Sequence, residues 1–198
     1  MLESIKHKLD KGFSLTIVGF GDSLTQGWMV SKGYLDFLKE MLSRKYPKSN
    51  VTIVNRGIPG DTAQGGLYRI GYDVIDFNPD LVLLQFALND AVLGYSADQF
   101  RLSIEEIIER IQNDTSAEII LLTSSTTPNP VMNEIAEKFY EILISIAEAR
   151  GIAIAKVHDY WKKKIAEGKQ FKKLLQADQV HPTTEGYRLM SESVMELL

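Results

Sequence analysis

Five short apolar runs rich in β-branched residues, Leu15–Phe20, Val51–Val54, Leu81–Phe86, Ile119–Thr123 and Ile152–Val157, are separated by longer segments whose apolar residues recur at helical spacing. No other feature restricts the fold so strongly. Each run is nearly continuously apolar and free of proline, the pattern of a strand covered on both faces in a parallel sheet. Parallel neighbours cannot be joined by a tight hairpin, so a crossover helix must lie between successive runs. Tyr34, Phe37, Leu38, Met41 and Lys45 follow i, i+3, i+4, i+7 order, and residues 98–112 and 131–149 have the same period. Gly151 stands where the last of these segments hands over to a strand. The expected fold is α/β: a three-layer, doubly wound parallel sheet of about five strands, flavodoxin-like, with helices on both faces.

A chain of 198 residues can bury a core of that size without disulfide or metal staples, and residues 1–198 read as one domain. The only Pro/Ser/Thr-rich stretch, Ser124–Pro130, follows the fourth run, where a loop belongs. The formal net charge of −4 has the wrong sign for a dedicated nucleic-acid binder, so no nucleic-acid partner is expected. The first 15 residues mix charges throughout and lack the apolar core of a signal peptide. The longest near-apolar run, Leu81–Leu88, is far short of the ~20 residues a membrane span needs. A cytoplasmic protein with no membrane span is expected, and the oligomeric state is left open.

There are no cysteines, which removes disulfides, thiolate catalysis and cysteine zinc sites together. The three histidines, His7, His158 and His181, are then the only imidazoles a hydrolase or a metal site could use. None has metal-ligand spacing, and neither a metal nor another cofactor is expected.

In doubly wound sheets, ligands bind beyond the carboxyl ends of the strands, where strand order reverses. Four segments occupy such positions. Ser23 follows the first run in Gly21-Asp22-Ser23-Leu24, where a strand-to-helix turn can present its hydroxyl beside backbone N–H groups suited to an anion. A helix cap or a phosphate loop reads the same way, although neither a dinucleotide fingerprint nor a Walker lysine is present. Gly57, Pro59 and Gly60 follow the second run; the glycines allow positive φ and close backbone approach, or the segment is an ordinary turn entering a helix capped by Asp61 or Thr62. Asn89 and Asp90 close the third run; the amide can donate to an oxyanion, or the pair can simply end the strand.

His181 lies three residues after Asp178, so one tight turn can fix its tautomer and leave the other ring nitrogen free as a base. His158 ends the fifth run, with Asp159 pointing to the opposite face, and reads as structural; His7 reads as solvated. The lysines between Trp161 and Leu175 read as the solvated face of a helix whose apolar stripe is Trp161, Ile165, Leu174 and Leu175.

Taken together, these segments resemble the SGNH, or GDSL-type, hydrolase family. Gly21-Asp22-Ser23-Leu24 is the family's namesake tetrad, and Asn55 to Thr62 is similar to its N-x-G-x-x-G-x-T block. Ala87-Leu88-Asn89-Asp90 stands against G-x-N-D, and Asp178 to His181 matches D-x-x-H. The resemblance implies that Ser23 is the nucleophile, His181 the base and then acid, and Asp178 the orienting carboxylate. It implies an oxyanion hole made by the Ser23 and Gly60 N–H groups and the Asn89 side chain. The implied activity is hydrolysis of small carboxylic esters, of short acyl or acetyl groups, through an acyl-enzyme. The substrate would be a small-molecule or carbohydrate ester, with Trp28–Tyr34, Leu93–Ser96 and Ser124–Val131 as pocket rims. No extended lid insertion is visible, which argues against a long-chain lipase. One residue departs from the pattern: Ala87 replaces a glycine and is expected to narrow the pocket or shift Asn89 without abolishing activity. A non-catalytic anion- or nucleotide-binding module, and a silent relative that binds carbohydrate, remain alternatives.

Overall fold

The computed structural model describes all residues, 1–198. Five strands, β1 (Leu15–Gly21), β2 (Val51–Gly57), β3 (Leu81–Gln85), β4 (Glu118–Leu122) and β5 (Ala153–Ala155), form one sheet in the order β2-β1-β3-β4-β5, parallel throughout. The chain runs outward from β1 to β2, then returns past β1 to β3. That reversal opens a crevice above the carboxyl ends of β1 and β3.

Nine helices surround the sheet: α1 (Glu3–Lys11), α2 (Ser23–Gln26), α3 (Tyr34–Lys45), α4 (Ala63–Asp73), α5 (Leu88–Val92), α6 (Ala97–Asp114), α7 (Pro130–Arg150), α8 (Val157–Ala166) and α9 (Thr184–Met195). Helices α3, α8 and α9 pack together, as do α4, α6 and α7. Right-handed crossovers place these two groups on opposite faces of the sheet, because the direction of winding reverses after β2. The ends are set locally: Ser96 accepts from Gln99 N–H at the start of α6, and Gly151, at φ 64°, ends α7 and leads into β5. Fifty-three buried hydrophobic residues form one cluster, with Val18, Phe20, Leu83 and Leu84 of the inner strands fully enclosed. Phe20 meets Phe86 edge to face at 5.5 Å beneath the crevice.

Four expectations change. The run Val51–Val54 is not covered on both faces: β2 is an edge strand, buried only at Val51 and exposed at Thr52 and Asn55. The buried stripe of α3 is Tyr34, Leu35, Leu38 and Leu42, displaced from the expected one; Phe37 and Met41 are only half-buried. His158 does not end a strand, because β5 stops at Ala155 and the chain turns into α8, whose His158 N–H donates to Thr123 Oγ1 at 3.0 Å. Finally, the lysine-rich segment is not one helix. Helix α8 stops at Ala166, and Leu174 and Leu175 are buried from a following turn instead.

Ala87 has φ 140° and ψ −42°, is fully buried, and immediately precedes α5. A side chain in this region of backbone space costs about 1–3 kcal/mol, which explains why glycine suits the position. Replacing it with glycine relieves that strain but loses a buried methyl and adds unfolded-state entropy, each about 0.5–1 kcal/mol. Ala87→Gly is therefore expected to unfold within about 0.5 kcal/mol of wild type in urea, where an ordinary buried Ala→Gly change costs about 1 kcal/mol or more. A loss above roughly 1.5 kcal/mol would contradict the strain.

Candidate active site

Ser23 is the first residue of α2, directly after β1. Asp22 caps that turn, its Oδ1 accepting from Leu24 N–H at 2.8 Å. As the first residue of a helix, Ser23 has an N–H with no intrahelical acceptor. The second loop is braced against this turn. Asn55 Nδ2 donates to Gln26 O at 3.1 Å, and a side chain at Gly57 would collide with the Asp22 carbonyl and the Gln26 nitrogen. Gly60, at φ 77°, leaves its N–H unengaged at the mouth of the crevice. Arg69 reaches back from α4 to hold this loop: it donates to Asp61 Oδ2 (2.7 Å), Asp73 Oδ2 (2.8 Å), Arg56 O (3.0 Å) and Gly21 O (2.9 Å), with its guanidinium over the Phe20 ring. Thr62, not Asp61, caps α4, accepting from Gly65 N–H.

Asn89 does not close a strand but sits in the single turn of α5, where its Nδ2 donates to Asp61 O at 2.8 Å. This bond fixes the amide and leaves its second N–H available. Asp90 beside it points inward and accepts from Ala63 N–H at 2.9 Å.

Asp178 and His181 share one turn. Asp178 Oδ1 accepts from the N–H groups of Val180 (2.9 Å) and His181 (3.0 Å), and Oδ2 lies 2.7 Å from His181 Nδ1. His181 Nε2 is 2.9 Å from Ser23 Oγ. The fold thus joins residues 158 positions apart into one relay. Burial would raise the Asp178 carboxyl, but those two N–H groups and the imidazole outweigh it and hold it below the usual carboxylate range. Gln176 anchors the turn, its Nε2 donating to Trp28 O and Pro182 O, both at 2.8 Å, and the Trp28 ring lies 5.7 Å from that of His181. Chemically, a serine hydroxyl on an imidazole whose other nitrogen faces a carboxylate can lose its proton as it attacks a carbonyl.

Beneath Ser23 lies a polar network that sequence reasoning did not single out. Gln85 accepts from Thr25 Oγ1 (2.9 Å) and donates to Ser124 Oγ (3.1 Å) and Asp22 Oδ2 (3.3 Å). Its one signal was a polar side chain inside an otherwise apolar run, Leu81–Phe86. Arg69 gave none. Of the expected rims, Tyr34 and Ser124 to Thr127 are buried, whereas Leu93, Gly94 and Pro128 are exposed. The other two histidines stand apart: His7 is exposed, and His158 is buried with its Nε2 2.8 Å from Glu137 Oε1.

Burial pushes the Asp22 carboxyl up to about 7, against the N–H of Leu24 and the Gln85 amide and helped by Asp90 and Asp61; burial likewise pushes Asp90 up to about 6. An unfolded aspartate titrates near ~3.9, so between about pH 4 and 7 the folded state holds a proton the unfolded state has lost. The stabilisation is then largest in acid and is lost as pH rises through this window, at about 1.4 kcal/mol per pH unit. Asp22→Asn stays neutral in the same shape. Its urea stability should change less between pH 5 and pH 8 than that of wild type, by about 2 kcal/mol. Parallel pH dependences would contradict a buried, proton-holding Asp22.

The chain as a whole is similar to known proteins. The family model described as the GDSL-like lipase/acylhydrolase family matches residues 20–189. An arylesterase of Vibrio mimicus is 27% identical over 136 residues, 68% of this chain and 66% of its own length, just under two thirds of that relative. Esterase TesA of Pseudomonas aeruginosa is 25% identical over 186 residues, covering 93% of this chain and 87% of the relative. Among solved structures, an acetylxylan esterase of Geobacillus stearothermophilus superposes with a TM-score of 0.81 at 19% identity, over 92% of this chain and 93% of its own. No helix of this protein is long and apolar enough to cross a membrane.

Proposed function

The chain belongs to the GDSL-like lipase/acylhydrolase family, and on that premise we propose that it is a serine esterase for small carboxylic esters, with a small-molecule or carbohydrate ester as substrate. Ser23 is the nucleophile, His181 the base and then acid, and Asp178 the group that orients the imidazole. The observation that carries this reading is the relay from Asp178 Oδ2 to His181 Nδ1 at 2.7 Å and from His181 Nε2 to Ser23 Oγ at 2.9 Å.

In the first half-reaction Ser23 Oγ bonds to the ester carbonyl carbon as its proton passes to His181 Nε2. The carbonyl oxygen becomes an oxyanion facing the Ser23 and Gly60 N–H groups and the free Asn89 N–H. When the tetrahedral species collapses, the C–O bond to the alcohol breaks and His181 returns the proton to the leaving oxygen. Water then repeats these steps on the acyl-enzyme, releasing the acid and Ser23. Asp178 stays ionised throughout, consistent with a carboxyl held below its usual range. A panel of p-nitrophenyl esters from acetate to laurate tests the reading. Turnover well above the buffer background, greatest on the short acyl groups, is expected. A protein that bound inorganic phosphate tightly yet left every ester at the background rate would instead be an anion-binding module.

A further inference from the structure

A cleft of about 420 Å³ opens beside the Asp178–His181 turn, lined by Pro128 on one side and by Phe171, Lys172, Leu175, Gln176 and Gln179 on the other. Its wall is continuous with the turn that carries the base. Leu175 pairs with Pro182, Gln176 N–H donates to His181 O at 2.8 Å, and the Gln176 amide is doubly anchored. The oxyanion donors Gly60 and Asn89 follow β2 and β3, whereas Pro128 follows β4, so the cleft lies on the histidine side of Ser23. The base must hand its proton to the leaving oxygen, which places the alcohol half of an ester on that same side.

The charge of this cleft is distinctive. Lys172 is the one ionisable side chain among its lining residues. Nearby Lys162, Lys164 and Lys169 are paired with Glu137, Glu167 and Glu185, whereas Lys163, Lys172 and Lys173 have no carboxylate partner, and of these three only Lys172 lines the cleft. In a chain of net charge −4, an uncompensated ammonium at a cleft beside the relay is a recognition element for an anion. Resting on the esterase reading, we propose that this cleft takes the alcohol half of the ester and that Lys172 selects alcohols bearing an anionic group, a carboxylate or a phosphate. The ammonium stays in water and acts on binding rather than on the reacting atoms, so it changes KM more than kcat.

Three acetate esters test this: 4-acetoxybenzoate, 4-acetoxyphenyl phosphate and the neutral methyl 4-acetoxybenzoate. Each is assayed on wild type, Lys172→Met, Lys172→Glu and Lys172→Arg, so intrinsic reactivities cancel when the anionic-to-neutral ratio of kcat/KM is compared between proteins. The ratio should fall about fivefold in Lys172→Met and about tenfold in Lys172→Glu, chiefly through KM, and return in Lys172→Arg. In wild type it should also fall at about 0.5 M salt. A response confined to the carboxylate or to the phosphate ester supports the proposal and identifies the anion. The same ratio in all four proteins at both salt levels overturns it and leaves the esterase reading standing. If wild type turns over p-nitrophenyl esters but none of these three, the proposal falls alone; no turnover of any ester removes both.

Discussion

Ser23→Ala is expected to lower kcat on every ester that wild type cleaves by at least about 10⁴-fold, with KM changed only a few-fold. The size follows from the chemistry. Without Oγ no acyl-enzyme can form, and what remains is whatever the oxyanion donors and substrate binding do for direct attack by water. Ser23 is buried to 5% exposure, and its side chain engages His181, so a methyl in its place disturbs little else. Steady-state kinetics on an ester of the panel checks it, with circular dichroism showing that the variant is folded. A variant that kept more than a tenth of wild-type kcat would mean that Ser23 is not the nucleophile.

Asn89→Ala carries the next largest effect, a loss of about 10²–10³ in kcat, or about 3–4 kcal/mol of transition-state stabilisation. The amide is held by its bond to Asp61 O, so its remaining N–H is fixed before the oxyanion forms and needs no reorganisation when charge develops. KM should change little, because the ground-state carbonyl is a weaker acceptor than the oxyanion. Loss of the bond to Asp61 also loosens the Gly60 turn, so the backbone donor suffers with the side chain. A kcat within threefold of wild type would take Asn89 out of the oxyanion hole, while a rise in KM alone would make it a binding group.

Much of this site was legible because its parts lie in short, local patterns. Asp178 and His181 are three residues apart, and one turn with an αL residue at Gln179 is enough to bring carboxylate and imidazole together. Ser23 and Asn89 sit just beyond buried strands, whose apolar runs marked the strand ends to within a few residues. The glycine expected at position 87 has a physical meaning in the backbone angle that Ala87 adopts.

What was not legible depends on neighbours distant in the chain. Nothing in the run Val51–Val54 says that its strand lies at an edge, and half-exposure of Ile53 and Val54 follows from that place alone. The α3 stripe shifted because α9, some 140 residues later, decides which side of α3 is covered. Gln85 and Arg69 act through partners on several elements, so neither shows a pattern near itself in the chain. His158 looked like a strand end because its run is apolar, but the bond from its N–H to Thr123 turns the chain into α8.

On the esterase reading, His181 activates Ser23 to attack a carbonyl-like centre. A fluorophosphonate traps such an activated serine whether or not the natural ester is known. Intact-mass and peptide mass spectrometry should show one adduct per chain, on the peptide containing Ser23, formed far more slowly by His181→Ala. Labelling of another residue, or no labelling of folded wild-type protein, would contradict it.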